Sequence, residues 1–191
     1  MRAIIIAASL SISGVALGGS AVDEGLIKAA KKVGVPHKLL RAICYSESRL
    51  DTRAVAYSDG GGTNHALGMC QILYQTAVGM GMGSDDRCLT HIEKSQRVYG
   101  NCKLFGPYTN AFYAARVLKY QLRRYNESWA NATAAYNSGT VKICSKRAYY
   151  SVRIYVKKTG TVKWRRIKCK SGGLMNSNYV DRVMKAMAEG K

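Results

Sequence analysis

Between Tyr108 and Tyr125 the apolar residues Ala111, Ala114, Ala115, Leu118 and Leu122 recur at intervals of three and four. That period puts them on one face of an α-helix of about five turns. A shorter stretch, "LLRAICYSESRL" (Leu39 to Leu50), repeats the pattern with an anomaly. Leu39, Ile43 and Glu47 are spaced four apart, and Leu40, Cys44 and Glu47 four then three. A carboxylate thus continues an apolar stripe, although Arg41, Ser46, Ser48 and Arg49 supply a polar side. Held against apolar neighbours, such a carboxyl group loses solvation of its charged form, so its pKa should rise. A carboxyl group still protonated near neutral pH can act as a general acid on a glycosidic oxygen.

The remaining helical segments follow the same reading. Asp23 is expected to cap a helix carrying Leu26, Ile27, Ala30 and Val33, which Gly34 ends. Pro36 should occupy the first turn of the Glu47 helix. Helices are also expected over residues 71–78, 130–136 and 178–188. The polar, glycine-rich "YSDGGGTNHALG" (Tyr57 to Gly68) reads as a loop or short β-turn region. One segment breaks the pattern: Val152, Ile154 and Val156 alternate with Arg153, Tyr155 and Lys157, then Lys158-Thr159-Gly160 turns the chain. On the return, Val162, Trp164 and Arg166 share a face. This is a β-hairpin by period and turn chemistry. With 191 residues, 47% of them hydrophobic, the chain suffices for one domain. The expected fold class is mainly α, a single small helical domain with a late basic β-hairpin insertion over about residues 148–170.

Residues 1–21 stand apart. Arg2, the apolar run from Ala3 to Leu17 and the small residues Gly19-Ser20-Ala21 have the pattern of a cleaved secretory signal, leaving a domain over 22–191. The run is short for a membrane span, so none is expected after cleavage. Six cysteines fit an exported chain: Cys44, Cys70, Cys88, Cys102, Cys144 and Cys169. None shows C-x-x-C spacing and the three histidines are scattered, which favours disulfides over a metal site. No cofactor is expected. Connectivity stays open; one arrangement pairs Cys88 with Cys102, Cys144 with Cys169, and Cys44 with Cys70.

The formal net charge is +19, and from Val141 to Val180 there is no acidic residue against eleven cations. Such a chain is drawn to polyanions. The basic stretch reads equally as a solvated face or a polymer-docking surface. Export and the lack of a basic-aromatic motif argue against nucleic acid. A membrane-active role would need a basic amphipathic helix where this chain has a hairpin.

Four ordered motifs carry a resemblance. "ICYSESRLDTRAVAYS" has a glutamate followed by serine (Glu47-Ser48), then Ala56-Tyr57-Ser58. "GMCQILYQTA" supplies Gly68, Gln71, Ile72, Thr76 and Ala77. Asn110 opens an alanine-rich helix reaching Leu118, and Ala135-Tyr136-Asn137-Ser138-Gly139 follows, with Tyr179-Val180 in the last helix. Together they resemble the soluble lytic transglycosylases, which share the goose-type lysozyme fold. Met69-Cys70, Tyr74, the long Ser58–Gly68 spacing and the hairpin depart from that pattern.

The resemblance implies an α+β lysozyme-like domain with a substrate groove and peptidoglycan glycan strands as substrate. Glu47 would be the catalytic acid and base, Tyr136 would sit beside it and orient it, and Gln71 and Asn137 would hold sugar groups. Ser48 would bind substrate or serve the helix end. Asp59 is a candidate second carboxylate for a hydrolytic muramidase, and otherwise a turn residue. An inactive wall-binding or assembly module is the alternative of a different class. A periplasmic or secreted enzyme of this kind is compatible with wall recycling, attack on a rival's wall, or opening gaps for a secretion or flagellar machine.

Overall fold

The computed structural model describes residues 21–56, 65–84, 88, 102–144, 149–156, 161–168 and 173–191, the two hairpin strands through their backbone only. Residues 1–20, which hold most of the expected signal, Asp59 and most of the glycine-rich loop, the hairpin turn and Cys169 lie outside the described residues.

Helix α1 (Ala21–Val33) leads into α2 (His37–Ser48). Three two-residue strands follow: β1 (Val55–Ala56), β2 (Ala66–Leu67) and β3 (Ile72–Leu73). They form an antiparallel sheet in the order β1-β2-β3, with Val55 opposite Leu67 and Leu67 opposite Ile72. Then come α3 (Tyr74–Gly79), a 3₁₀ turn (Lys103–Phe105), α4 (Pro107–Arg124), α5 (Trp129–Ser138), the hairpin β4 (Tyr149–Val156) and β5 (Thr161–Lys168), and α6 (Ser177–Ala188).

Helix α4 is the axis. Ala111, Ala114, Ala115, Leu118 and Leu122 are all buried, and α1, α2 and α5 pack around it. Its start suits the chemistry: Pro107 in the first turn lacks an N–H that would have no intrahelical partner anyway. Small side chains let neighbours approach closely, and a Cβ at Gly25 of α1 would lie 2.9 Å from the Tyr108 backbone nitrogen. Helix α5 begins at Ser128, whose side chain accepts from the Asn131 N–H at 3.4 Å. It ends at Gly139, where φ is +76°.

Several local expectations are corrected. Asp23 lies inside α1 rather than at its cap, and its carboxylate pairs with Arg41 at 3.0 Å. Ile27 is 53% exposed, because the buried stripe of α1 runs through Leu26, Ala29 and Ala30. Pro36 is the residue before α2, not part of its first turn. Residues 71–73 belong to a turn and to β3, so α3 starts only at Tyr74. Ala66 and Leu67 form a strand at the end of the expected loop, since they pair with both neighbours.

Disulfides link Cys44 with Cys70 and Cys88 with Cys102. Cys144 is disulfide-bonded too, and no cysteine among the described residues is free. The first of these staples α2 to the turn before β3, one helical turn from Glu47.

Candidate active site

Helix α2 buries Leu39, Leu40, Ile43 and Cys44, and Glu47 continues that line at the edge of the core. The helix then stops abruptly, with Arg49 and Leu50 both at positive φ, 63° and 66°. Ser48 secures this end: its hydroxyl donates to the Met69 carbonyl at 2.8 Å. Its proton is therefore engaged in holding α2 to the turn before β3, which favours the helix-end role over substrate binding.

The Glu47 carboxyl is half-buried, and burial pushes its pKa above the ordinary value. Two groups pull the other way: a hydrogen bond from Tyr179, then the positive charge of Arg182. The Tyr179 hydroxyl donates to Glu47 Oε1 at 2.7 Å, a bond spanning 132 positions of sequence. It comes from the first turn of α6, where Tyr179, Val180, Val183 and Ala186 form the buried face. The phenol is itself pushed far above its usual range, by burial first and then by the negative charge of Glu47. It thus stays a fixed donor.

A second tyrosine, Tyr136, lies close by. Its phenol is buried near Glu47, whose charge adds to burial in raising its pKa. Its proton, however, goes to the Cys70 carbonyl at 3.0 Å. Tyr136 braces the segment behind the carboxylate, and Tyr179 makes the bond to it. The sequence signal for Tyr179 was its place in the Tyr179-Val180 pair of the resemblance, with nothing local to name its partner.

Gln71 takes a left-handed backbone, φ 50°, and its amide donates to the carbonyls of Gly68 at 2.8 Å and Ala54 at 3.3 Å. The first closes the turn between β2 and β3, and the second ties that turn to the residue before β1. Asn137 is exposed near the end of α5, where its Oδ1 accepts from Asn176 Nδ2 at 3.3 Å. No hydrogen bond joins either residue to Glu47 among the described residues.

Asn110 organises the turn from beneath. Nearly fully buried, it accepts the Cys70 N–H at 2.8 Å and donates to the carbonyls of Leu67 at 2.8 Å and Leu104 at 2.9 Å. Gly68 fits the same crowded point: its φ is +71°, and a Cβ there would lie 2.5 Å from the Leu104 carbonyl oxygen. Thus α4 fixes the turn, the turn fixes Cys70, and Cys70 fixes both Cys44 and Tyr136 next to Glu47. Among the described residues no cluster of His, Cys, Asp or Glu is arranged to hold a metal ion.

Tyr179→Phe should show what its bond to Glu47 contributes. It removes a donor to the carboxylate, so the Glu47 pKa should rise further. The basic limb of the kcat/KM profile should then move to higher pH. A hydrogen bond to a charged group lost at this point should lower kcat roughly tenfold. A lowered rate with an unmoved limb would reduce Tyr179 to a packing role.

The model of the transglycosylase SLT domain family matches residues 24–155. Among solved structures, an inactive mutant of lytic transglycosylase Slt from Pseudomonas aeruginosa is 25% identical, with a TM-score of 0.44. That match covers 61% of this chain and 16% of the Pseudomonas chain. The family match takes in α2 with Glu47, the turn around Gly68 to Gln71, and α4 and α5 with Asn110 and Tyr136, and on that span the chain belongs to the transglycosylase SLT domain family.

Proposed function

We propose that the protein is a peptidoglycan lytic transglycosylase that cleaves the β-1,4 bond between N-acetylmuramic acid and N-acetylglucosamine, with Glu47 as acid and then base. The observation that carries this reading is the desolvated Glu47 carboxyl, with raised pKa, held by a buried Tyr179 hydroxyl. Family membership supports the substrate class. The bonded cysteines support an oxidising, extracytoplasmic compartment. No described helix is long and apolar enough to cross a membrane.

Protonated Glu47 donates to the glycosidic oxygen as the bond to the muramyl anomeric carbon breaks. The positive charge developing on that carbon is met by the muramyl N-acetyl oxygen, an internal nucleophile that replaces a second protein carboxylate. Glu47, now a carboxylate, takes the proton of the muramyl C6 hydroxyl. The C6 oxygen then closes on the anomeric carbon, giving a 1,6-anhydro ring and returning Glu47 to its acid form. Tyr179 lowers the cost of the intermediate carboxylate, and burial favours the acid form of the resting group. Ser48, Gln71 and the Cys44–Cys70 bridge keep α2 and the sheet turn in one geometry while the strand binds.

The experiment is release of soluble muropeptides from purified sacculi by the wild-type protein and by Asp59→Asn. Both should release them at rates within about threefold, because the substrate-assisted route needs one protein carboxylate. No release by the wild type would end the reading. Loss of release on Asp59→Asn alone would replace it with a two-carboxylate muramidase.

A further inference from the structure

The face of α4 that turns away from the core carries a feature the Glu47 chemistry does not use. Phe112, Arg116, Tyr120 and Arg123 recur there one turn apart, and with Lys119 and Lys32 from the end of α1 they line a cavity of about 460 Å³. That volume is within the range of small-ligand sites. Among the described residues, no acidic side chain lines it, and Lys32, Arg116 and Arg123 have no ion-pair partner. Lys119 is fixed in place by its bond to the Gly34 carbonyl at 3.0 Å. The Arg116 guanidinium carbon sits 5.8 Å from the centre of the Phe112 ring, and Tyr120 is 52% exposed.

Four like charges around one cavity repel each other, and a bound anion relieves that repulsion. Two further properties narrow the anion. Arg116 and Arg123 are seven residues apart on a helix, so their stems lie about 10 Å apart. That suits carboxylates separated by about three residues of extended peptide. Tyr120 between them and Phe112 one turn before Arg116 offer apolar faces that a compact phosphate has no use for, whereas aliphatic peptide side chains do. Guanidinium groups also pair with carboxylates in a planar, two-bond geometry.

From this we propose that the cavity is an accessory site for the carboxylates of a peptidoglycan stem peptide, on a face of α4 separate from Glu47. The substrate identity rests on the function proposed above; the anionic, peptide-shaped character rests on the cavity itself. Such a site would hold the enzyme on cross-linked wall while the Glu47 site engages a glycan chain.

The test is calorimetric titration of the Glu47→Gln protein, which keeps the cavity apart from the glycan chemistry, with synthetic L-Ala-γ-D-Glu-diaminopimelate-D-Ala. The tetrapeptide should saturate one site. Arg116→Ser with Arg123→Ser should weaken it at least tenfold, while Lys31→Ser with Lys38→Ser, the same loss of charge on exposed helix positions outside the cavity, should change it less than threefold. The tetrapeptide with its carboxylates amidated should not bind. Equal weakening by both double variants, or unchanged affinity in the arginine variant, would overturn the proposal. So would full displacement by equimolar inorganic phosphate or by vesicles of anionic lipid, which would make the site a phosphate or membrane site. On an otherwise wild-type background the arginine variant should cleave native sacculi at least threefold more slowly, yet cleave glycan chains stripped of stem peptides at the wild-type rate. If the wild type cleaves neither substrate, the function proposed for Glu47 fails, and the titration still decides the cavity.

Discussion

Glu47→Gln should reduce turnover by a factor on the order of a hundred to ten thousand, the usual cost of losing general acid–base help. Glutamine keeps the length, the planarity and an oxygen that accepts from Tyr179, so the pocket survives while the transferable proton is gone. The same variant carries a stability signature with a definite sign. Burial raises the Glu47 pKa in the folded protein, so the acid form is the one the fold favours. Its stabilising contribution is complete below the ordinary carboxylate pKa and is lost as pH rises through the raised value. Wild type and Glu47→Gln should therefore be most similar in stability at low pH, and the variant should gain on the wild type toward neutral and alkaline pH. Denaturant melts of both proteins across pH check this. A wild type that gains relative to the variant as pH rises would mean that the carboxylate form is favoured by the fold, and the acid role would lose its physical basis.

Asn110→Ala should be the most damaging change away from the chemistry. It leaves the Cys70 N–H and the Leu67 and Leu104 carbonyls without partners in a buried place. Each such group costs about 1–3 kcal/mol, so a total of about 4 kcal/mol is expected. That is a large share of a stability of about 5–15 kcal/mol, and should lower the melting midpoint by roughly 10 °C in a chain of this size. Asn110→Asp should not rescue it, because a carboxylate cannot donate to the two carbonyls. A loss under about 1 kcal/mol in chemical denaturation would show that the turn between β2 and β3 is held by other contacts.

The contrast between Glu47 and Tyr179 shows which parts of this molecule a sequence exposes. Glu47 was legible because its evidence is local: a carboxylate at helical spacing on an apolar stripe reads as desolvated before any fold is known. The helices around it were legible for the same reason, with α4 shifted by only one residue at each end. Tyr179 was legible as a matching residue of the last helix but not as the partner of Glu47, since 132 positions of sequence separate the two. Tyr136 drew the role instead, being adjacent to Asn137 in a motif, yet the fold turns its hydroxyl to the Cys70 carbonyl. Asn110 was visible as a helix-opening residue, but its three partners come from two separate segments that only the packed structure brings together. The α1 helix was legible but not its buried line: packing against α4 selects Leu26, Ala29 and Ala30 and leaves Ile27 outside.

Ring closure by C6 and hydrolysis differ in whether the cleaved bond takes up water. Digesting purified sacculi in ¹⁸O-labelled water and weighing the released muropeptides by mass spectrometry decides it. An internal C6 oxygen closing the ring predicts ends lighter by one water than hydrolytic ends, with no ¹⁸O incorporated. Reducing ends that carry one ¹⁸O at the muramyl anomeric carbon would contradict it and make the protein a hydrolase.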